Sequence, residues 1–217
     1  MRKFVLATAI IVVIGITAHH ANAQSSLSNF RYLGSALNVV VDASLLGPRI
    51  TPEQFANATT VACQALKRLS TDEEFRKRLF GHKHSQRGVN KALANIEQLT
   101  QFLVFEREVL IKMGVSERTA TQITQNLIEY KNAAVNEKWS AENTMGRIRK
   151  SAGIACSLSA QATKKIESSE RWVLLIRIGK VVGGAAVIVG NVVLSAPSAG
   201  LTAASVAMGT VLLASGL

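Results

Sequence analysis

The sequence predicts an all-α protein: a helical bundle, preceded by a signal peptide and followed by a hydrophobic helical hairpin rich in Gly and Ala. Three observations carry this. Apolar residues recur three and four positions apart through the middle of the chain, and no stretch keeps the alternation of a strand. Aromatic residues make up only 5% of the chain and there are only three prolines, Pro48, Pro52 and Pro197, which suits helices better than a β-sandwich. The last charged residue is Lys180, and the 37 residues from Val181 to Leu217 hold no Asp, Glu, Lys, Arg or His.

Residues 1–23 read as a signal peptide. Arg2 and Lys3 give a positive start, Phe4 to Ile16 is an apolar run, and Ala21-Asn22-Ala23 is a small-x-small cleavage site. Cleavage is expected before Gln24. The rival is a retained anchor helix, but the run is short for a bilayer span. His19 and His20 fall in the removed part. The formal charge of +11 drops to +9 once Arg2 and Lys3 leave. Such a protein would be exported, and periplasmic or membrane-associated on the extracytoplasmic side.

Residues 24–168 read as a bundle of five or six helices joined by short loops. Leu27 to Leu46 is amphipathic and stops at Gly47-Pro48. Thr51-Pro52-Glu53-Gln54 is a capping box with proline at the first helical position, and it opens a helix to about Leu69. Thr71-Asp72-Glu73-Glu74 repeats the device and opens a short helix ending at Gly81. One long helix is expected from about Arg87 to Met113, with Val89, Leu93, Ile96, Leu99, Leu103, Leu110 and Met113 buried. Its segment Phe102 to Phe105 is apolar on every side, which predicts a central helix. Gly114 ends it. Ser116-Glu117 starts another, with Ala120, Ile123, Leu127 and Ala134 inward. Ser140 and Glu142 start the helix that carries Cys156.

Cys63 and Cys156 make an even pair in an exported chain, so a disulfide is expected. Cys63 edges the face of Phe55, Ala62, Leu66 and Leu69. Cys156 shares one with Met145, Ile148, Ala152, Ser159 and Ile166. Loop closure over this separation contributes roughly 4–5 kcal/mol on the chain-entropy argument.

No catalytic motif is present: no G-x-S-x-G, no H-E-x-x-H, no phosphate loop and no C-x-x-C. Glu106 and Glu108 flank Arg107, which fits a solvated face or local ion pairing. The chain therefore reads as non-enzymatic, with no cofactor or metal. One polar stretch stands apart, Phe75 to Lys91. Arg76, Lys77, Arg78, Lys83, Arg87 and Lys91 have no acid among them, which suits either a solvated face or contact with anionic lipid or an acidic protein. His82 and His84 are two ligands at most, and their cationic neighbours repel metal. Without an aromatic stacking surface, nucleic acid is not expected as a partner.

The last segment, 169–217, reads as a helical hairpin. Trp172 to Leu194 is 23 residues, about 34 Å as a helix and enough to span a bilayer. Its Val, Leu and Ile residues favour insertion by about 4–8 kcal/mol. Gly200 to Leu217 is a weaker segment, beyond a turn at Pro197. Small residues recur four apart, at Gly179, Gly183, Ala186 and Gly190 and at Ala203, Ala207 and Gly209, a spacing that lets two helix backbones approach. Gly179, Gly183 and Gly190 are expected to meet the hairpin mate. Arg171, Trp172, Arg177 and Lys180 would sit at the membrane interface. The cations gather on the outer side, against the positive-inside bias. Three outcomes follow: a membrane anchor, a hairpin buried in the bundle, a homo-oligomer or a partner, or one that inserts later. In architecture alone the last resembles the buried hydrophobic hairpin of pore-forming colicins; no motif carries that likeness.

Overall fold

The computed structural model describes residues 28–82, 85–136, 139–162, 166–194 and 199–217. The signal-peptide segment, Lys83, His84 and the Pro197 turn lie outside the described residues. Every regular element among the described residues is helical.

The sequence's own punctuation sets the boundaries. Helix α1 (28–44) turns its 30, 33, 37 and 40 positions inward and gives way to a 3-10 turn at Gly47–Arg49, where Gly47 has φ 61°. Thr51 and Gln54 form the reciprocal cap of α2 (Pro52–Ser70): Thr51 Oγ1 accepts from Gln54 N at 3.2 Å, and Gln54 Oε1 accepts from Thr51 N at 3.0 Å. Asp72 caps α3 (Glu73–Gly81), Ser85 caps α4 (Gln86–Ala94) and Asn95 caps α5 (Ile96–Lys112). Gly114, with φ 85°, ends the α5 turn as only glycine does without strain. Asn38 of α1 clamps that turn, donating to the Gly114 carbonyl at 2.9 Å and accepting from Ser116 N at 2.9 Å. The remaining helices are α6 (Glu117–Glu129), α7 (Lys131–Asn136), α8 (Ala141–Gln161), α9 (Ser168–Leu194) and α10 (Ala199–Ser215).

Two expectations are corrected here. The long helix over 87–113 is two helices, because Asn95 leaves helical geometry (ψ 118°) and its Oδ1 takes the backbone N–H groups of Glu97 and Gln98. Neither half is the central helix. Val104 is 56% exposed and Ile96 is 76% exposed, so α5 lies on the outside with one face inward. The centre belongs to α9 and α10.

These two run antiparallel, with the Arg177 end of α9 beside Leu217 and Ile188 beside Gly209. Helices α2, α3, α5 and the 3-10 turn pack on α9, while α4, α7 and α8 pack on α10. One continuous core includes apolar residues from every α-helix. The 169–217 segment is thus the middle of the bundle. On the outside, Cys63 of α2 and Cys156 of α8 form a disulfide with Cα atoms 4.6 Å apart. Thr60 and Ser159 share a 2.8 Å hydrogen bond one turn away.

Candidate functional site

Every residue from Val181 to Val192 in α9 is buried, and so is every residue from Thr202 to Leu213 in α10. A helix with no solvated face is either a core helix or a lipid-facing one. Among the described residues α9 is the one helix long and apolar enough to cross a membrane; α10 is apolar but shorter.

Small side chains set the contact between the two. A Cβ on Gly184 would lie 2.5 Å from the Gly209 carbonyl oxygen and 2.6 Å from Leu213 N. A Cβ on Gly209 would lie 2.7 Å from Ile188 Cγ1. Gly216 likewise faces the Arg177 carbonyl at 2.5 Å. Gly183, expected at this contact, meets α10 only through the Leu212 side chain at 3.6 Å and lies as near to Ile123 of α6, at 3.7 Å, both ordinary distances; the closest backbone approach falls at its neighbour Gly184. Gly190 faces Val109 and Met113 of α5, and Gly179 faces Val40 of α1. The glycines of α9 therefore serve the shell as well as the hairpin mate. Ala186, Ala203 and Ala207 are buried.

Polar contacts enter this apolar interior, three of them between helices through side chains alone. Thr144 of α8 and Thr210 of α10 share a 3.1 Å hydrogen bond. The other two converge on Glu106 of α5, which is 0% exposed. Asn191 Nδ2 of α9 donates to its carboxyl oxygens at 2.6 and 2.8 Å, and Ser205 of α10 hydrogen-bonds it as well. Burial pushes the Glu106 carboxyl up to about 8, against the opposing pull of Ser205 and Asn191. The expectation of a solvated or locally paired Glu106 is therefore wrong. Arg107 turns outward to Glu117 and Thr121. The signal was the spacing Phe102, Glu106, Val109, Leu110, Met113, which puts an acid in the middle of a buried stripe.

The residues expected at a membrane interface gather at the other end of α9. Arg171 donates to the Ile166 and Ile50 carbonyls, and Trp172 Nε1 donates to the Ser44 carbonyl at 3.1 Å. Arg177 donates to the Leu217 carbonyl at 2.6 Å, and Lys180 lies 5.8 Å from the Tyr130 ring centre. All four brace the hairpin in the folded protein. A cavity of about 160 Å³ beside them, lined by Ile154, Leu158, Leu174 and Ile178, is smaller than the roughly 300–1,000 Å³ of typical ligand pockets.

In the basic stretch, Arg76 pairs with Glu73 at 2.9 Å and Arg78 with Glu74 at 2.8 Å, so acids just upstream offset two of its cations. Arg78 also donates to the Val193 carbonyl at 3.2 Å, tying α3 to the hairpin. Lys77, Arg87 and Lys91 are exposed. Sequence reasoning missed Phe80, which is 42% exposed and shares a shallow hollow with Arg76 and Lys77. Among the described residues no group of three or more His, Cys, Asp or Glu side chains is placed to hold a metal.

No protein-family model matches the chain, no curated protein matches it, and no solved structure matches it.

Proposed function

We propose that this is an exported, non-enzymatic protein that associates with membranes through a hairpin it otherwise keeps inside its own helical shell. The observation that carries the reading is the nature of α9: 27 residues, about 40 Å of helix, with every residue from Val181 to Val192 uncharged and covered by the bundle. Lipid tails are as apolar as a protein core, so moving Val, Leu and Ile from one to the other changes little free energy. The balance then rests on the few polar groups, Asn191, Ser205 and Thr210, that lose partners on leaving the shell. The close Gly184–Gly209 contact supports transfer of the two helices as one unit.

The surface supplies a way to approach a membrane. Lys77, Arg87 and Lys91 attract anionic headgroups, each cation near the surface contributing about 1 kcal/mol. Phe80 adds an apolar wedge beside them. A hairpin covered by its own bundle needs no oligomer to shield it.

The second reading is a soluble extracytoplasmic interaction protein in which the hairpin is simply the core. It is favoured by the same burial, and one experiment separates the two. The protein is mixed with phosphatidylglycerol vesicles, floated on a density gradient and washed with alkaline carbonate. Flotation that survives the wash, with Trp fluorescence quenched by brominated lipid, is the expected result. Complete release by salt or carbonate would leave the soluble reading standing.

A further inference from the structure

We propose that the outer face of α5 is a self-association surface, on which a second copy of this chain lays its own α5 antiparallel, with Val104 at the two-fold axis. The inference does not rest on release of the hairpin, which packs on the opposite side of α5.

The sequence of α5 supplies two apolar faces. Phe102, Glu106, Val109 and Leu110 are buried on the inner one. Ile96, Val104 and Ile111 are 76%, 56% and 40% exposed, and they recur eight and then seven residues apart. At 3.6 residues per turn they fall within about 80° of one another, a single outward stripe about 22 Å long. Thr100 lies in this stripe, and its hydroxyl donates to the Ile96 carbonyl at 3.0 Å, so the stripe can lose water without stranding that donor. Arg107, the cation beside it, is held by Glu117 and Thr121 of α6. Ile128, seven residues beyond Thr121, is 50% exposed and extends the patch onto the edge of α6 that faces α5. Exposed apolar residues scattered singly are ordinary; aligned on two packed helices they form a patch.

The charges select the occupant. Glu97 in the first turn of α5 and Lys112 in the last flank the stripe, and both are exposed. Among the described residues neither forms an ion pair within its own chain. Val104 lies midway between them. A two-fold axis through Val104 sets Ile96 against the partner's Ile111 and Glu97 beside the partner's Lys112, and repeats both contacts by symmetry. A parallel copy would instead bring like charges together at each end. Antiparallel alignment also sets the positive N-terminal end of each α5 beside the negative C-terminal end of the other. An anionic membrane fits this face poorly, because Glu97 and Glu108 are exposed on it and repel headgroups. One helix and the rim of a second make a small interface, so the dimer belongs to the weak, reversible class.

The test is sedimentation velocity of the full oxidised chain in lipid-free, low-salt buffer over a wide concentration range. The wild type should pass reversibly from monomer to dimer. Val104→Arg places two cations at the axis and should leave a monomer with an unchanged melting temperature, since the position is exposed. Glu97→Lys and Lys112→Glu should each weaken the dimer several-fold, and the double swap should restore it. A wild type that stays monomeric throughout would overturn the proposal, and so would a dimer indifferent to Val104→Arg. Single swaps that the double variant does not rescue would overturn the antiparallel register. Should Val104→Arg not fold, the charge swaps decide alone. A monomeric wild type whose flotation with phosphatidylglycerol vesicles is lowered by Val104→Arg would assign the face to lipid and not to a second copy.

Discussion

Gly184 and Gly209 meet backbone to backbone where the arms of the hairpin pass, with room for no Cβ on either. Gly184→Ala should therefore destabilise the protein by about 1–3 kcal/mol, the range for overpacking a tight contact. Its neighbour gives the opposite sign. A Cβ on Gly183 makes only ordinary contacts, so Gly183→Ala should be neutral or stabilise by up to about 1 kcal/mol through helix propensity. Urea midpoints of the two variants check the pair. Equal destabilisation would place the helix contact elsewhere.

The disulfide is expected to contribute about 4–5 kcal/mol, given a sequence separation of 93 residues. Intact-mass measurement after alkylation should find no free thiol in the unreduced protein and two after reduction. Urea unfolding with and without reductant should show the loss. An unchanged midpoint would mean that strain or residual structure cancels the loop-closure term.

Stability should fall as pH rises. Glu106 has a folded value of about 8 against an ordinary 4.5, so the native state binds the extra proton between these limits. The contribution is fully present below about 4.5 and is lost by about 8, at no more than about 1.4 kcal/mol per pH unit. Thermal denaturation from pH 5 to 8 should follow this slope, and Glu106→Gln should remove most of it.

The basic patch predicts an order of effects. Lys77 is exposed and acts on Glu73 only as a nearby charge, whereas Arg78 is bound to Glu74 and to the Val193 carbonyl. Lys77→Gln and Phe80→Ala should each weaken binding to anionic vesicles by several-fold at low salt while leaving the melting temperature unchanged. Arg78→Gln should lower the melting temperature instead. Vesicle co-sedimentation across a salt series, run beside calorimetry, measures both. Binding that ignores all three changes would make the stretch a solvated face.

The parts legible in the sequence are those in which the chain speaks locally. Caps at Thr51, Ser116 and Ser140 act on N–H groups within three residues, so their spacing alone marks the helix starts, while the box read from Thr71 to Glu74 is shifted by one, with Asp72 as the cap. The pairing of Cys63 with Cys156 was readable because two cysteines allow one intramolecular bond. The all-α class followed from periodicity.

Long-range facts were less legible. Asn95 is a good cap set in an otherwise unbroken helical pattern, and the packing of α4 mainly on α10 and of α5 mainly on α6 and α9 goes with the break there. Glu106 carries a charge in any local reading; its burial exists because α9 and α10 bring Asn191 and Ser205 to it from 85 and more residues away. Gly183 and Gly184 are adjacent and identical, so small-residue spacing could not choose the face that meets α10. Phe80 was hidden among cations, since exposure is a property of neighbours and not of a motif.

The bond between Cys63 and Cys156 makes the segment between them a covalent ring, holding α3 to α7, with α9 and α10 outside it along the chain. Reversibility follows. In the oxidised protein a departing hairpin leaves behind a ring whose disorder is bounded, so the cradle is half assembled when the hairpin returns. In the reduced protein the same departure frees an open chain that must find its fold again. On the proposed release, redox state would set whether leaving the shell is a round trip or a one-way step, without touching a single atom of the hairpin.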